Sequence, residues 1–233
     1  MVIYMNKKKE AFREAFPYTL PICAGFLFLG VSYGFFMSSK GFSISYPIFM
    51  SMFIFAGSME FVTANLLLSA FNPFSAFILA LMVNARHLFY GISMLEKYKN
   101  TGKKKFYLIF GMCDESFSIN CSAKIPEGID KGWFMVFVNL LNQCYWVMGA
   151  ALGALLGKVI QINTKGIEFV LTALFVVIFI EQWKEAKNHI PALIGLGLTL
   201  VCLILIGSEH FIIPSMILIV ALFMGLKKWG ITL

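Results

Sequence analysis

The feature that most constrains this chain is a series of seven long stretches without a single Asp, Glu, Lys or Arg. A helix needs about 20 mostly apolar residues to cross a bilayer. Four of the stretches meet that length outright: residues 17–39, 41–59, 132–157 and 190–208. The other three, residues 61–85 with a break at Asn72-Pro73, 169–180 and 211–226, need their flanks or a neighbouring segment to complete a crossing.

Composition agrees with a location in lipid. Hydrophobic residues make up 59% of the 233 residues and charged residues only 13%, so the polar surface is too small for a soluble domain. The sequence therefore predicts an all-α, polytopic integral membrane protein with about six to eight membrane segments.

The cysteines and histidines exclude several other classes of protein. The five cysteines show no CxxC spacing, and the three histidines are scattered, which argues against a disulfide scaffold and a zinc site. The net charge of +7 comes from lysines between apolar runs, where orientation signals belong. We therefore expect no metal, no cofactor and no nucleic-acid partner.

Basic residues constrain the topology. They are concentrated before residue 14 and in residues 97–105, so both regions should lie in the cytoplasm and an even number of crossings should separate them. Three apolar segments lie between them, which indicates that one is broken or re-entrant. The predicted break lies near Gly57–Glu60, because irregular backbone at membrane depth must line a cavity or be buried in protein.

The same reasoning divides the chain. Residues 1–16 are predicted to form a cytoplasmic leader, either an amphipathic surface helix or a plain basic segment. A first membrane bundle (17–95), a basic cytoplasmic loop with a re-entrant or buried segment carrying Asp114 and Glu115 (96–131), a second membrane bundle (132–226) and a cytoplasmic tail (227–233) follow. We expect a multi-pass cell-membrane protein with both termini in the cytoplasm.

Ionisable residues at bilayer depth are costly and need a partner or a pathway. Glu60 lies between uncharged stretches of 19 and 25 residues, with the small residues Gly57 and Ser58 just before it. This region is the first candidate site, where the carboxylate could hold an ammonium group or carry a proton. Asp114 and Glu115 are further candidates.

The second candidate cluster is residues 84–91. On a helix, Asn84, His87 and Gly91 share one face and Arg86 and Tyr90 another, so both faces cannot point to lipid. Arg86 could bind a solute or could instead reach the cytoplasmic interface as an anchor.

A third pattern lies in residues 132–157. Asn139, Asn142, Gln143 and Trp146 recur on one helix face that Gly149, Gly153 and Gly157 continue. The glycines are typical of close helix packing in lipid. Asn142 and Gln143 could either join helices or contact a solute.

Together these strings resemble the AzlC family of branched-chain amino acid exporters and permeases. The resemblance rests on six segments in family order: residues 11–17 (AFREAFP), 55–61 (FAGSMEF), 84–91 (NARHLFYG), 114–117 (DESF), the glycines of 149–157, and 168–175 (EF and ALF). It implies transport of leucine, isoleucine or valine, usually outward, beside a small hydrophobic AzlD-type membrane partner.

Such a zwitterionic substrate needs hydrogen-bond donors for its carboxylate, an acceptor for its ammonium group and an apolar pocket. A broken-helix N-terminus and Arg86 could serve the carboxylate, and Glu60 or Asp114 the ammonium group. The alternatives are a channel or a transporter for another small solute or ion, a membrane-embedded enzyme using His87, Asp114 and Glu115, or a subunit inactive without its partner. No nucleophile lies beside an obvious base, so we expect no enzyme.

Overall fold

The computed structural model describes residues 2–70, 72–159, 169, 176, 179–180, 183–184, 188–208 and 211–228. Throughout these ranges the chain is helical with connecting turns and contains no strand. The contacts divide it into two compact units, Met1–Leu171 (unit 1) and Thr172–Leu233 (unit 2).

Unit 1 holds eight of the described helices. They are α1 (Val2–Ser39), α2 (Ser45–Phe53), α3 (Gly57–Leu68), α4 (Pro73–Val83), α5 (Arg86–Tyr98), α6 (Lys104–Phe110), α7 (Asp114–Ser122) and α8 (Lys131–Val159). In unit 2, α9 (Ile190–Ile206) and α10 (Ile212–Lys228) contact each other. The predicted segment at 169–180 lies largely outside the described residues.

α1 and α8 pack side by side in the same direction. Gly30 of α1 lies against Gly149, and Gly34 lies against Ala150 and Gly153, with backbone so close that neither α1 glycine could carry a Cβ. Gly157 continues the contact against the side chain of Ser38. Small residues let two helices approach this closely in lipid, where van der Waals contact drives their association. α8, which the sequence placed in a second bundle, therefore packs along α1 within unit 1.

Both long helices begin on one face of unit 1, which we call the basic face. The Nζ atoms of Lys8 and Lys104 lie 4.2 Å and 4.9 Å from the centre of the Trp133 ring. Lys104 also forms an ion pair with Asp130, with Nζ 3.0 Å from Oδ1. The amino-terminal region and the basic loop thus lie on the same face of unit 1. The opposite side, where α1 and α8 end, is the far face. The leader is continuous with the first span in α1 rather than a separate surface helix.

α2 and α3 form a hairpin that enters from the far face. α2 starts after a short turn from the end of α1, and its Met52 carbonyl reaches Gln143 in the middle of α8. α3 begins beside Trp146 and packs Phe61 on Phe36, near the end of α1, with ring centroids 5.0 Å apart. The predicted break before Glu60 is present, and α2–α3 turns back at residues 54–56 instead of crossing.

α6 and α7 form a second hairpin that enters from the basic face. α6 starts at Lys104 on that face and turns at residues 111–113. α7 returns, so that its last carbonyls, of Asn120 and Cys121, accept hydrogen bonds from Lys97 Nζ at 2.8 Å and 2.7 Å. Lys97 lies in the last turn of α5, just before the loop to α6. α6 and α7 therefore both have one end at the basic face and meet at a turn inside unit 1.

α4 and α5 together cross from the far face to the basic face. They meet at Asn84–Ala85 with a bend of 57°. By length and composition the described residues contain two spanning helices, α1 and α8, or three if this bent pair counts as one. α9 and the apolar part of α10 are shorter. The predicted six to eight membrane segments are therefore not confirmed. Parts of the chain that were counted as membrane segments are divided in the structure into pairs of short helices, α2 with α3 and α4 with α5.

Candidate functional site

Three turns interrupt the helices of unit 1, and each precedes one of the predicted polar clusters. The first break, residues 54–56, comes before Glu60. The second, Asn84–Ala85, comes before Arg86 and His87, and the third, residues 111–113, comes before Asp114 and Glu115. The polar clusters therefore lie in the first turns of helices that start inside the protein.

Residues from all three breaks line one cavity of about 1110 Å³. The first break contributes its three residues, the second contributes Asn84 with the neighbouring His87, and the third contributes Met112. Leu81, Leu88 and Ile109 supply apolar wall. The cavity extends to Glu96, Lys99 and Lys105, near the ends of α5 and α6 that face the basic side.

The first break depends on an unusual backbone conformation. Phe55 has a φ of +45°, the left-handed region that residues other than glycine rarely adopt. Its side chain is nevertheless buried, with 5% exposed. Burial of the ring holds the chain in a conformation that reverses α2 into α3 within three residues.

The two faces predicted for α5 have different surroundings. Asn84, His87 and Gly91 line the cavity. Tyr90, on the other face, stacks on Phe117 of α7 with ring centroids 4.3 Å apart. Arg86 joins it there, donating from Nε to Asp114 Oδ1 at 2.9 Å. One face of α5 therefore lines the cavity and the other packs on α7.

Glu60 lies behind the first break rather than in the cavity wall. Its side chain is fully buried. Oε1 accepts from the Ala56 N–H at 3.2 Å, and both carboxylate oxygens accept from Trp146 Nε1, at 2.9 Å and 3.1 Å. This bond ties the fourth residue of α3 back to the N-cap residue Ala56, one position later than the glutamate of a capping box. Glu60 therefore joins the start of α3 to α8.

The polar stripe of α8 binds the ends of the broken helices. Asn139 Nδ2 donates to the Leu108 carbonyl at the end of α6, at 3.2 Å. Gln143 Nε2 donates to the Met52 carbonyl at the end of α2, at 2.9 Å. Helix ends leave backbone groups without intrahelical partners, and no water can satisfy them in lipid. One face of α8 supplies those partners.

Asn142 belongs to the same stripe. Its Nδ2 donates to the Ser116 hydroxyl in the first turn of α7, at 3.0 Å. Gln143 additionally accepts from the Tyr107 hydroxyl at 2.8 Å. Of the two roles open for these amides, the contacts observed are those that join helices.

The sequence matches known proteins over almost its whole length. A Bacillus subtilis (strain 168) protein named branched-chain amino acid transport protein AzlC is 64% identical over 228 residues, covering 97% of this chain and 90% of the relative. The family model described as AzlC protein matches residues 21–160. The chain belongs to the AzlC protein family.

Two more distant relatives carry membrane-protein names. An uncharacterized membrane protein of Haemophilus influenzae is 52% identical to this AzlC chain, covering 92% of it and 88% of the relative. The inner membrane protein YgaZ of Escherichia coli is 27% identical, covering 89% and 85%. No solved structure matches this AzlC chain.

The predicted site residues of this AzlC chain fall into three groups. Asn84 and His87 line the cavity, while Arg86 and Asp114 pair on the opposite face of α5. The remaining predictions lie behind the breaks: Gly57, Ser58, Glu60, Glu115, Asn142 and Gln143. Within that group the Ser58 hydroxyl is buried and has no hydrogen-bond partner among the described residues, and Gly57 packs on the Trp146 ring.

Sequence reasoning missed the apolar residues of the cavity. Ile54 and Phe55 at the first break and Ile109, Phe110 and Met112 near the third resemble lipid-facing residues in composition. Gly111 was the available signal for the third break, since a Cβ there would press on Asn139 and on the Tyr107 carbonyl. Across the described residues, no cluster of three or more His, Cys, Asp and Glu could hold a metal ion.

Proposed function

We propose that this chain is a carrier of branched-chain amino acids. The observation that carries the proposal is the 64% identity, over 97% of the chain, to the Bacillus protein named for branched-chain amino acid transport. Transport also favours a role other than catalysis.

The cavity supports this proposal by its size and lining. Small-molecule sites usually occupy about 300–1,000 Å³ and combine apolar walls with a few polar groups. The cavity, of about 1110 Å³, slightly exceeds this range, has a lining of this kind and lies where broken helices meet. Broken helices at the centre of a transporter are a recurring way to build a solute site.

The polar groups of the cavity suggest how the zwitterion is held. Asn84 Oδ1 is buried without a hydrogen-bond partner among the described residues, so it can accept from the ammonium group. His87 Nδ1 lies 3.3 Å from the Asn84 carbonyl, which leaves Nε2 to donate to the carboxylate when the ring is protonated. Arg86 supports this arrangement from behind, through Asp114, instead of touching the substrate.

Counterflow of labelled leucine into proteoliposomes that contain the purified chain tests the proposal. We expect saturable exchange that is competed by unlabelled valine and isoleucine but not by lysine. A linear, uncompeted flux would instead favour a channel, and no exchange with or without a partner would contradict the carrier.

The physiological direction we propose is export, with both termini in the cytoplasm of a cell-membrane protein. The basic face is then cytoplasmic. The cavity reaches residues on that side, which suits loading from the cytoplasm. A membrane-impermeant inhibitor or label, applied to membrane vesicles of known orientation, measures directly which face of the protein is cytoplasmic.

We further propose that proton movement drives export through Glu60. A buried carboxylate that is protonated in one conformation and ionised in the other would couple a proton to the first break. Glu60→Gln keeps an acceptor for the Ala56 N–H but cannot titrate. We expect it to retain counterflow, which needs no driving ion, and to lose accumulation driven by a pH gradient.

Glu14→Gln is the matched control, because Glu14 lies on α1 near the basic face, outside the first break. It should keep both activities. A Glu60→Gln protein that still accumulates leucine in response to pH would remove Glu60 from the coupling role.

A small hydrophobic AzlD-type protein is the proposed partner. Its support is the family resemblance, and the test is co-purification of a tagged chain with the co-expressed partner in mild detergent. Exchange by the chain alone would show that the partner is dispensable for the carrier step.

A further inference from the structure

Gly91 is a glycine in the middle of a helix whose contacts with the described residues do not require glycine. It lies in α5 and has an ordinary helical backbone, since it is absent from the glycines with positive φ. A Cβ built on it would have nothing within 4 Å among the described residues. Glycine in a helix interior destabilises the helix relative to alanine, so its presence here calls for another explanation.

Other helix glycines of unit 1 have an evident packing role. Gly30, Gly34, Gly149 and Gly153 lie against backbone atoms of the facing helix. Gly25 of α1 shares with Gly91 the open space around its Cβ position, but it does not line the cavity. Gly91 does line the cavity, which separates it from the packing glycines and from Gly25 alike.

The position of Gly91 relates it to the proposed polar contacts. Asn84 in the second break lines the cavity together with His87 and Gly91, which lie on one face of α5. Gly91 follows His87 by one helical turn, about 6 Å along the axis. A zwitterion held by Asn84 and His87 can therefore direct an aliphatic side chain over Gly91, toward Leu95 and the apolar residues of α6.

We infer that Gly91 is a specificity-determining residue, whose missing side chain leaves room for the branched side chain of the substrate. This inference rests on the proposed function and adds the contact that sets substrate size. It predicts that a side chain at position 91 removes cavity volume without disturbing the packing of unit 1, and so favours shorter amino acids.

The test compares Gly91→Ala and Gly91→Val with the native chain in leucine counterflow competed by leucine or valine. Leucine exceeds valine by one methylene, a difference that an apolar pocket distinguishes by about 10-fold or more. We expect the preference for leucine over valine to fall by about 10-fold in Gly91→Ala and further in Gly91→Val. Gly25→Ala is the control and should leave the preference unchanged.

Equal losses of leucine and valine exchange in both Gly91 variants would overturn the inference, since a packing role affects all substrates alike. The native chain provides the separate readout for the carrier itself: absence of exchange there contradicts the proposed function, whereas exchange with an unaltered preference in the variants contradicts only the role of Gly91.

A second measurement covers variants that fail to fold. In a background without the native cysteines, Gly91→Cys should react with a small water-soluble methanethiosulfonate, and leucine should slow that reaction. Gly25→Cys provides the comparison, with no effect of leucine on its labelling. A cysteine at position 91 that is unreactive, or whose reaction leucine leaves unchanged, contradicts the inference.

Discussion

At the scale of single residues, the hydrogen bonds between Trp146 and Glu60 form the most consequential polar contact of unit 1. Trp146 Nε1 donates to both carboxyl oxygens of Glu60, which is fully buried. A buried acceptor that is left without its donor costs about 1–3 kcal/mol. This contact fixes the start of α3 on α8.

Trp146→Phe should therefore destabilise the protein by about 1–3 kcal/mol more than Trp133→Phe. Both changes remove the same ring atoms, but Trp133 Nε1 has no hydrogen-bond partner among the described residues. Thermal unfolding in detergent measures the difference. Equal destabilisation by the two changes would show that the bond to Glu60 contributes little.

Asp130 provides a second prediction at this scale, outside the membrane spans. Burial alone would raise the pKa of Asp130, but hydrogen bonds from the Trp133 N–H and from Lys104 hold it below its ordinary value. A depressed pKa stabilises the fold above the ordinary aspartate pKa of about 3.9, and this contribution disappears as the pH falls through the folded value. Asp130 also caps the start of α8.

We expect Asp130→Ala to lower stability by about 0.5–2 kcal/mol at pH 7, the usual cost of a lost N-cap. The difference from the native chain should be equal at pH 7 and pH 5 and should shrink below about pH 3.9. Unfolding curves at these pH values measure it. Glu127→Ala, in the exposed part of the same loop, should have little effect at any of them.

At the scale of elements, the contact between α1 and α8 tolerates no added atoms. A Cβ on Gly34 would collide with the backbone of Ala150 and Ala154. Gly34→Ala should thus separate the helices and destabilise unit 1 by about 1–3 kcal/mol, the usual cost of overpacking. The yield of monodisperse protein and its unfolding temperature report the effect.

Gly25→Ala is the control on the same helix, because its added methyl group meets open space. It should leave stability unchanged or raise it by up to about 1 kcal/mol, the difference in helix propensity. A similar loss in both variants would indicate a general intolerance of α1 rather than a specific contact.

The sequence predicted these elements unevenly, for physical reasons. The sequence predicted an interrupted segment before Glu60 from the positions of its basic residues. The basic amino terminus and the basic loop should lie on the same side of the membrane, which requires an even number of crossings, but three apolar segments lie between them. The sequence could not predict the turn at Phe55, since phenylalanine gives no signal for a left-handed backbone. The two faces of α5 followed from helical spacing, whereas their partners depend on contacts between distant parts of the chain.

At the scale of the whole molecule, unit 1 combines two hairpins from opposite faces with helices that cross. This arrangement makes a prediction about accessibility. In a background without native cysteines, Ser43→Cys and Ser69→Cys should react with an impermeant thiol reagent from one side of the membrane. Lys103→Cys and Glu127→Cys, exposed near the basic face, should react from the other.

Labelling of intact cells followed by labelling after lysis distinguishes the two sides. If the hairpin α2–α3 instead crossed the membrane, Ser43 and Ser69 would react from opposite sides. That outcome would contradict the arrangement of the two hairpins and with it the meeting of their turns in one cavity.

The parallel pairing of α1 and α8 also has a consequence for biosynthesis. Gly30 and Gly149 touch although more than 100 residues separate them in the chain. During synthesis, α1 enters the membrane long before α8 has been made. Until then, the glycine face of α1 contacts lipid or the insertion machinery. Nascent chains that end before Lys131 can therefore hold all of α1 to α7 and still lack the helix that joins them.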